Sequence, residues 1–286
     1  DESGSMDRFY QQWPLVLRQF YSPVLRNRWQ DRLMFIPLGY RSGFSQWSLS
    51  PLHRWSPTPV CEAASCTEEY PVLSDRPLDW VFVGNSMKMT RPVMIAAFLQ
   101  WFPSRFRRHE ADGFNQHPSK QMNASAVFDL MSGAVFCPTP MGNRHPDSFR
   151  WAEALEARCL PIVDDLIFDE ELHDVQPFQY FANFSAYLQD EFLQGTGLAA
   201  RCHDEDSSPW PLPSVTEVSG WWTVAESLAM DLRNEFSGSV QQRGRLTHLQ
   251  SCTADWWKSL KVRIGEGVAE RLWALSSAHE RRGCHT

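Results

Sequence analysis

The residues best suited to chemistry lie in one stretch, Cys137-Pro-Thr-Pro-Met-Gly142-Asn-Arg-His-Pro146-Asp147-Ser-Phe-Arg150-Trp-Ala-Glu153-Ala-Leu-Glu-Ala-Arg-Cys159-Leu-Pro161-Ile-Val-Asp164-Asp165. It reads as a strand, a loop, a helix opening at Asp147 or Ser148, and a second strand running parallel to the first. In open α/β sheets, the carboxyl edge of such strands is where ligands bind. A helix N-terminus at that edge offers free backbone N–H groups and a partial positive charge, which suits a diphosphate. Arg150, in the first turn, can add bidentate contacts to phosphate oxygens. Glu153 lies one turn further on the same face, where its carboxylate can accept hydrogen bonds from both hydroxyls of a ribose. The same spacing also fits Asp147 as a plain N-cap and Arg150 with Glu153 as an i,i+3 surface ion pair.

Other groups offer secondary possibilities. Trp80-Val-Phe-Val-Gly84 is an apolar run ending in glycine, and the loop after it carries Asn85, Lys88 and Arg91. Gly84 and Asn85 belong with the ligand loop, and Lys88 and Arg91 are second-choice cations for a diphosphate, or else solvated loop charges. Asp164 and Asp165, followed by Asp169, Glu170 and Glu171, form a carboxylate run that suits a hard cation or, more simply, a solvated loop. His145 sits in the glycine loop and can touch phosphate or sugar, or nothing. The pairs Trp221-Trp222 and Trp256-Trp257 can stack on sugar faces, but one member of each is placed to pack a helix into the core. There is no P-loop, no G-x-G-x-x-G and no G-x-S-x-G.

These groups require a parallel sheet to hold them. Thr90 and Pro92 precede the apolar stretch Val93 to Phe102 as in a capped helix. A helix over Lys120 to Met131, a strand over Ala134 to Cys137, a helix over Ser148 to Ala157 and a strand over Leu160 to Val163 then alternate, the pattern of a sheet covered on both faces. Upstream, Leu15-Val-Leu predicts a helix and Met34-Phe-Ile a buried strand entering a loop at Gly39 and Gly43. The proline-rich stretch from Ser48 to Pro77 reads as a connector. The expected organisation is 1–50 as the end of a first domain, 51–77 as linker, 78–200 as the ligand-binding domain, and 201–286 as a helical C-terminal segment.

Bulk properties narrow the function. With 286 residues, 43% of them hydrophobic, the chain can bury a sizeable core. A formal net charge of -7 argues against a nucleic-acid binder, and Arg105, Arg107 and Arg108, followed by Glu110 and Asp112, read as a solvated face. No apolar run is long enough to span a bilayer. Seven cysteines show no Cys-x-x-Cys spacing, which speaks against structural zinc, and Cys61 with Cys66 are either a small loop disulfide or free thiols. Asn123-Ala-Ser and Asn183-Phe-Ser fit the N-glycosylation pattern. Both features lean toward a secretory compartment.

Phe136-Cys-Pro138, Asp147-Ser-Phe-Arg150, Glu153-Ala-Leu155 and Cys159-Leu-Pro-Ile162, in that order, resemble the signature of exostosin-like glycosyltransferases. The upstream pieces Val16-Leu-Arg18-Gln-Phe-Tyr21, Ile36-Pro-Leu-Gly-Tyr40 with Gly43-Phe44, and Trp80 to Gly84 through Arg91 resemble the ribitol-phosphate xylosyltransferase-like branch. The likeness spans roughly residues 1 to 190. It implies an α/β, GT-B-type fold of two Rossmann-like domains, the first partial here. It also implies inverting transfer from a nucleotide-diphosphate sugar, a UDP-sugar in most members, to a glycan or glycoprotein acceptor, without a bound metal. The donor contacts would be Asp147, Ser148, Arg150 and Glu153, then Gly84, Asn85, Lys88 and Arg91. A Golgi location follows from the same resemblance, with any anchor outside this stretch. The other class open to such a fold is a non-catalytic scaffold or binding partner of an active transferase. In one place the chain departs from the pattern: Arg158 stands where the family has Gly, which predicts a different or strained helix ending. The catalytic base is unassigned, and Asp1 and Glu2 are weak candidates for it.

Overall fold

The computed structural model describes residues 7–39, 73–110, 122–142, 148–165, 180–194, 212–238 and 244–283. The first elements are α1 (Asp7–Gln12), β1 (Val16–Arg18), α2 (Pro23–Trp29) and β2 (Leu33–Phe35). Helix α2 begins where Ser22 accepts a hydrogen bond from the Leu25 N–H, with proline in its first turn. Strand β1 pairs in parallel with β2, Val16 opposite Leu33. Val16 and Leu17 are therefore in a strand rather than in the helix expected over Leu15-Val-Leu. The preceding Pro14 and the β-branched Val16 suit an extended chain, and β2 supplies the backbone partner.

The main sheet is built from β3 (Leu78–Gly84), β4 (Phe106–Glu110), β5 (Ala134–Thr139), β6 (Leu160–Asp164) and β7 (Ser214–Val215), all parallel, in the order β4-β3-β5-β6-β7. Its connections carry α3 (Arg91–Trp101), α4 (Ala124–Ser132), α5 (Phe149–Glu156) and α6 (Tyr180–Glu191), followed by α7 (Gly220–Ser237) and α8 (Arg245–Gly283). Strands buried on both faces read as unbroken apolar runs, and β5 and β6 are buried along their whole length. Trp80, Phe82, Phe136 and Ile162 point to one face, under α3 and α7. Val81, Val83 and Cys137 point to the other, under α4 and α5. The fold is α/β with helices on both sides of a parallel sheet, compatible with a Rossmann-like arrangement.

Strand β4 is an edge strand, and its Arg107 and Arg108 are exposed, so the basic cluster is solvated and discourages further pairing. The stretch after residue 201, expected to be helical, also gives β7, which extends the sheet beside β6. Aromatic packing joins the first elements to the C-terminal ones. The Tyr21 and Phe35 N–H groups donate to the hydroxyls of Tyr180 and Tyr187, at 3.0 and 2.9 Å, in a core shared with Trp151, Trp256 and Leu260. Trp256 and Trp257 are both buried, where one was expected, because the Trp257 indole N–H is satisfied by Glu156 Oε1 at 2.8 Å. Trp221 is buried and Trp222 is 38% exposed.

Two devices fix the unit carrying α5. Cys137 of β5 and Cys159, just before β6, form a disulfide 22 residues apart. Closing a loop of that length stabilises the fold by about 3 kcal/mol in the chain-entropy picture. Spacing gave no sign of it, since the pairing depends on β5 and β6 being neighbours. Cys61 and Cys66 lie outside the described residues, and Cys252 is disulfide-bonded as well. The second device is the end of α5. The Cys159 N–H donates to Ala154 O at 2.9 Å and the Arg158 N–H to Leu155 O at 3.0 Å, the two bonds of a Schellman cap. Arg158 holds the left-handed position with φ 57. The helix therefore ends as it would with glycine, and the departure at Arg158 appears as backbone strain. The buried Arg76 guanidinium anchors this end, donating to Arg158 O at 2.9 Å and Ala134 O at 2.5 Å.

Candidate functional site

The chain passes from β3 to β4 on one side and later to β5 on the other, so strand order reverses between β3 and β5. At such a switch point the two loops leave toward opposite faces and open a crevice at the carboxyl edge, the usual ligand position in this architecture. The segments here are 85–90 after β3 and, after β5, a connection of which 140–142 and 148 are described. They are the two stretches that carry most of the candidate residues.

Arg91 joins the two loops. Its guanidinium donates to Asn85 O at 2.8 Å and to Met141 O at 3.1 Å, while its Nε has no partner among the described residues. Gly84 makes room for it: a β-carbon there would lie 3.2 Å from the Phe82 ring and 3.5 Å from the Arg91 guanidinium. Desolvation by burial, then the nearby Arg150, pulls the Arg91 pKa down to about 10, and Asp164 opposes this. Arg91 remains cationic at neutral pH, engaged in holding backbone. Asn85 uses its side-chain oxygen to accept from the Met87 N–H at 2.9 Å, and Lys88, half-buried, offers its carbonyl to the Arg91 N–H at 3.0 Å. Met89, with φ 48, completes the tight turn before Thr90.

Asp164 is the polar centre of the edge. One oxygen accepts from the Thr90 hydroxyl and from the Met141 N–H at 2.9 Å; the other accepts from the Trp221 indole at 3.0 Å. It thus ties β6 to the start of α3, the loop after β5, and α7. Burial raises its pKa, against the pull of those three donors. Asp165, 4% exposed, accepts from the Phe181 N–H at 2.5 Å, and desolvation pushes its pKa up to about 6. Asp164 and Asp165 are therefore not a solvated loop. The expectation failed because a carboxylate following an apolar strand at the crevice edge is surrounded by donors that replace water. Asp169, Glu170, Glu171 and His145 lie outside the described residues, as do Asp1 and Glu2. No group of three or more His, Cys, Asp or Glu side chains arranged to hold a metal occurs among the described residues.

Ser148, in extended backbone, is the N-cap of α5, but its hydroxyl makes no cap bond and, among the described residues, is buried without a partner. Arg150 pairs with Glu153, and its guanidinium lies 5.0 Å over the Phe149 ring. The pair is i,i+3 as spaced but is not on the surface: Glu153 is 0% exposed and the Arg150 side chain 18%. The structure thus brings Gly84, Asn85, Lys88, Arg91, Ser148, Arg150 and Glu153 to the two loops and helix at one sheet edge, while Asp147 lies outside the described residues. Asp164, which organises them, had been read as part of a cation-binding run or a solvated loop, and its role as the common acceptor of Thr90, Met141 and Trp221 was missed. The available signal was a carboxylate placed directly at the end of an apolar strand.

Fold and edge together define an α/β protein whose strand order reverses at a polar carboxyl edge. Comparison of the chain with protein-family models, curated proteins and solved structures gives no match.

Proposed function

We propose that the chain is the donor-binding part of an inverting glycosyltransferase that takes a nucleotide-diphosphate sugar, a UDP-sugar by its resemblance to exostosin-like enzymes, and delivers the sugar to a glycan or glycoprotein acceptor. The carrying observation is the opening of α5 at the switch point, where the buried Ser148 hydroxyl has no partner among the described residues and the Arg150 guanidinium lies in the first turn, paired with Glu153. A departing diphosphate gains charge in the transition state, and fixed donors at a helix N-terminus act on that charge. Arg150 and Ser148 take the diphosphate, and Arg91 and Asp164 hold the two loops in register. When phosphate draws Arg150 away, the Glu153 carboxylate becomes available to the ribose hydroxyls. The GT-B arrangement, with β1 and β2 as part of a first Rossmann-like domain, and the Golgi location belong to the same proposal, and the Cys137–Cys159 disulfide suits such an oxidising lumen.

A second reading, a non-catalytic partner of an active transferase, is favoured by the complete burial of Glu153 beneath its ion pair. A thermal-shift titration with uridine diphosphate, with and without divalent metal, separates the two. The donor-site reading expects a saturable rise in melting point that is metal-independent and lost in Glu153→Gln. No shift with any nucleoside diphosphate leaves the scaffold reading.

A further inference from the structure

We propose that Asn123 carries an N-linked glycan. Asn123-Ala-Ser125 meets the acceptor pattern, and the structure adds three observations that the pattern lacks. Asn123 is exposed and is the N-cap of α4, where its side-chain oxygen accepts from the Ala126 N–H at 2.8 Å. That bond uses Oδ1 alone; among the described residues Nδ2, the nitrogen that takes the sugar, has no partner. The fully buried residues of α4 are Val127 and Met131, with Met122, Ala124, Phe128 and Leu130 partly buried against the same cluster; Asn123 is not among them and is exposed, so a glycan on it displaces no packed side chain. The chain also carries the Cys137–Cys159 disulfide, and Cys252 is disulfide-bonded too, which marks folding in an oxidising compartment where glycan transfer takes place.

The step balances with a sugar donor of stated class, an oligosaccharide carried on a polyprenyl diphosphate. The Asn123 Nδ2 forms a bond to the anomeric carbon, the bond from that carbon to the diphosphate oxygen breaks with its electron pair, and one amide proton is released. The sugar bonds to Nδ2 alone, so Oδ1 continues to cap α4 after modification. The second acceptor sequence, Asn183-Phe-Ser185, sits inside α6 with Ser185 buried.

The test is site mapping on the full chain secreted from eukaryotic cells behind a supplied leader. Enzymatic removal of N-glycans in heavy-oxygen water converts an occupied Asn123 to isotopically labelled Asp in the peptide mass spectrum. Two variants separate the modification from the cap. Asn123→Asp keeps the capping oxygen and removes the acceptor nitrogen, and Ser125→Ala leaves Asn123 itself in place. Each is expected to abolish one glycan's gel shift with the melting point nearly unchanged. An unlabelled Asn123 peptide from the secreted wild-type chain overturns the proposal, as does labelling confined to Asn183. If the variants are not secreted, the wild-type map decides alone.

Discussion

The Thr90 hydroxyl donates to Asp164 Oδ2, joining the start of α3 to the end of β6 across 74 residues of sequence. Both side chains are buried, and Asp164 gathers two further donors from Met141 and Trp221. A carboxylate in this position is strongly held only while its donors remain, and the donors are satisfied only while it remains.

Asp164→Ala therefore leaves three buried donors without an acceptor and is expected to cost on the order of 3 kcal/mol of stability. Thr90→Val removes one of the three bonds and should cost about 1–2 kcal/mol. Urea denaturation of the two variants checks the order. Equal losses would show that Asp164 does not act as the common acceptor.

Asp165 gives a pH signature. Its folded pKa, about 6, lies above the ordinary 3.8, so between those values the folded state binds more protons than the unfolded state. The contribution of neutral Asp165 is present below pH about 4 and is lost as pH rises through about 6, up to about 3 kcal/mol in all. Asp165→Asn keeps an acceptor for the Phe181 N–H and should remove this slope. Denaturation midpoints of wild type and variant across that interval should converge at low pH and separate, with the variant more stable, at neutral pH.

The end of α5 gives a third test. Arg158 occupies a left-handed position at which a β-carbon is penalised by roughly 1 kcal/mol or more. Arg158→Gly keeps both cap bonds and the carbonyl that Arg76 and Gln250 use, at 2.9 and 2.5 Å. It is expected to raise stability by about 1 kcal/mol in chemical denaturation. A loss would mean that the Arg158 side chain contributes more than its backbone strain costs.

Much of the sheet was legible because its strands are short apolar runs separated by helices, as at Trp80 to Gly84 and Leu160 to Val163. Phe106–Glu110 was missed as a strand because an edge strand with exposed Arg107 and Arg108 has no apolar alternation to read. Val16–Arg18 was misread because three residues show no period, and only pairing with Leu33–Phe35 decides their form. The placement of Ser148, Arg150 and Glu153 at the start of a helix following a strand was legible from their order along the chain. The burial of Glu153 and Asp164 and the link between Cys137 and Cys159 were not, since each depends on which strands and helices become neighbours, a non-local fact.

The bond between Cys137 and Cys159 also makes a covalent ring of the segment that carries the crevice loop and all of α5. Stretched from its two ends, the chain would be roughly 70 Å shorter than its residue count allows, because the ring, whose closing α-carbons are 5.8 Å apart, cannot open out. A single break in the backbone inside that ring would leave one connected molecule, with the two sides of the crevice still tethered to each other.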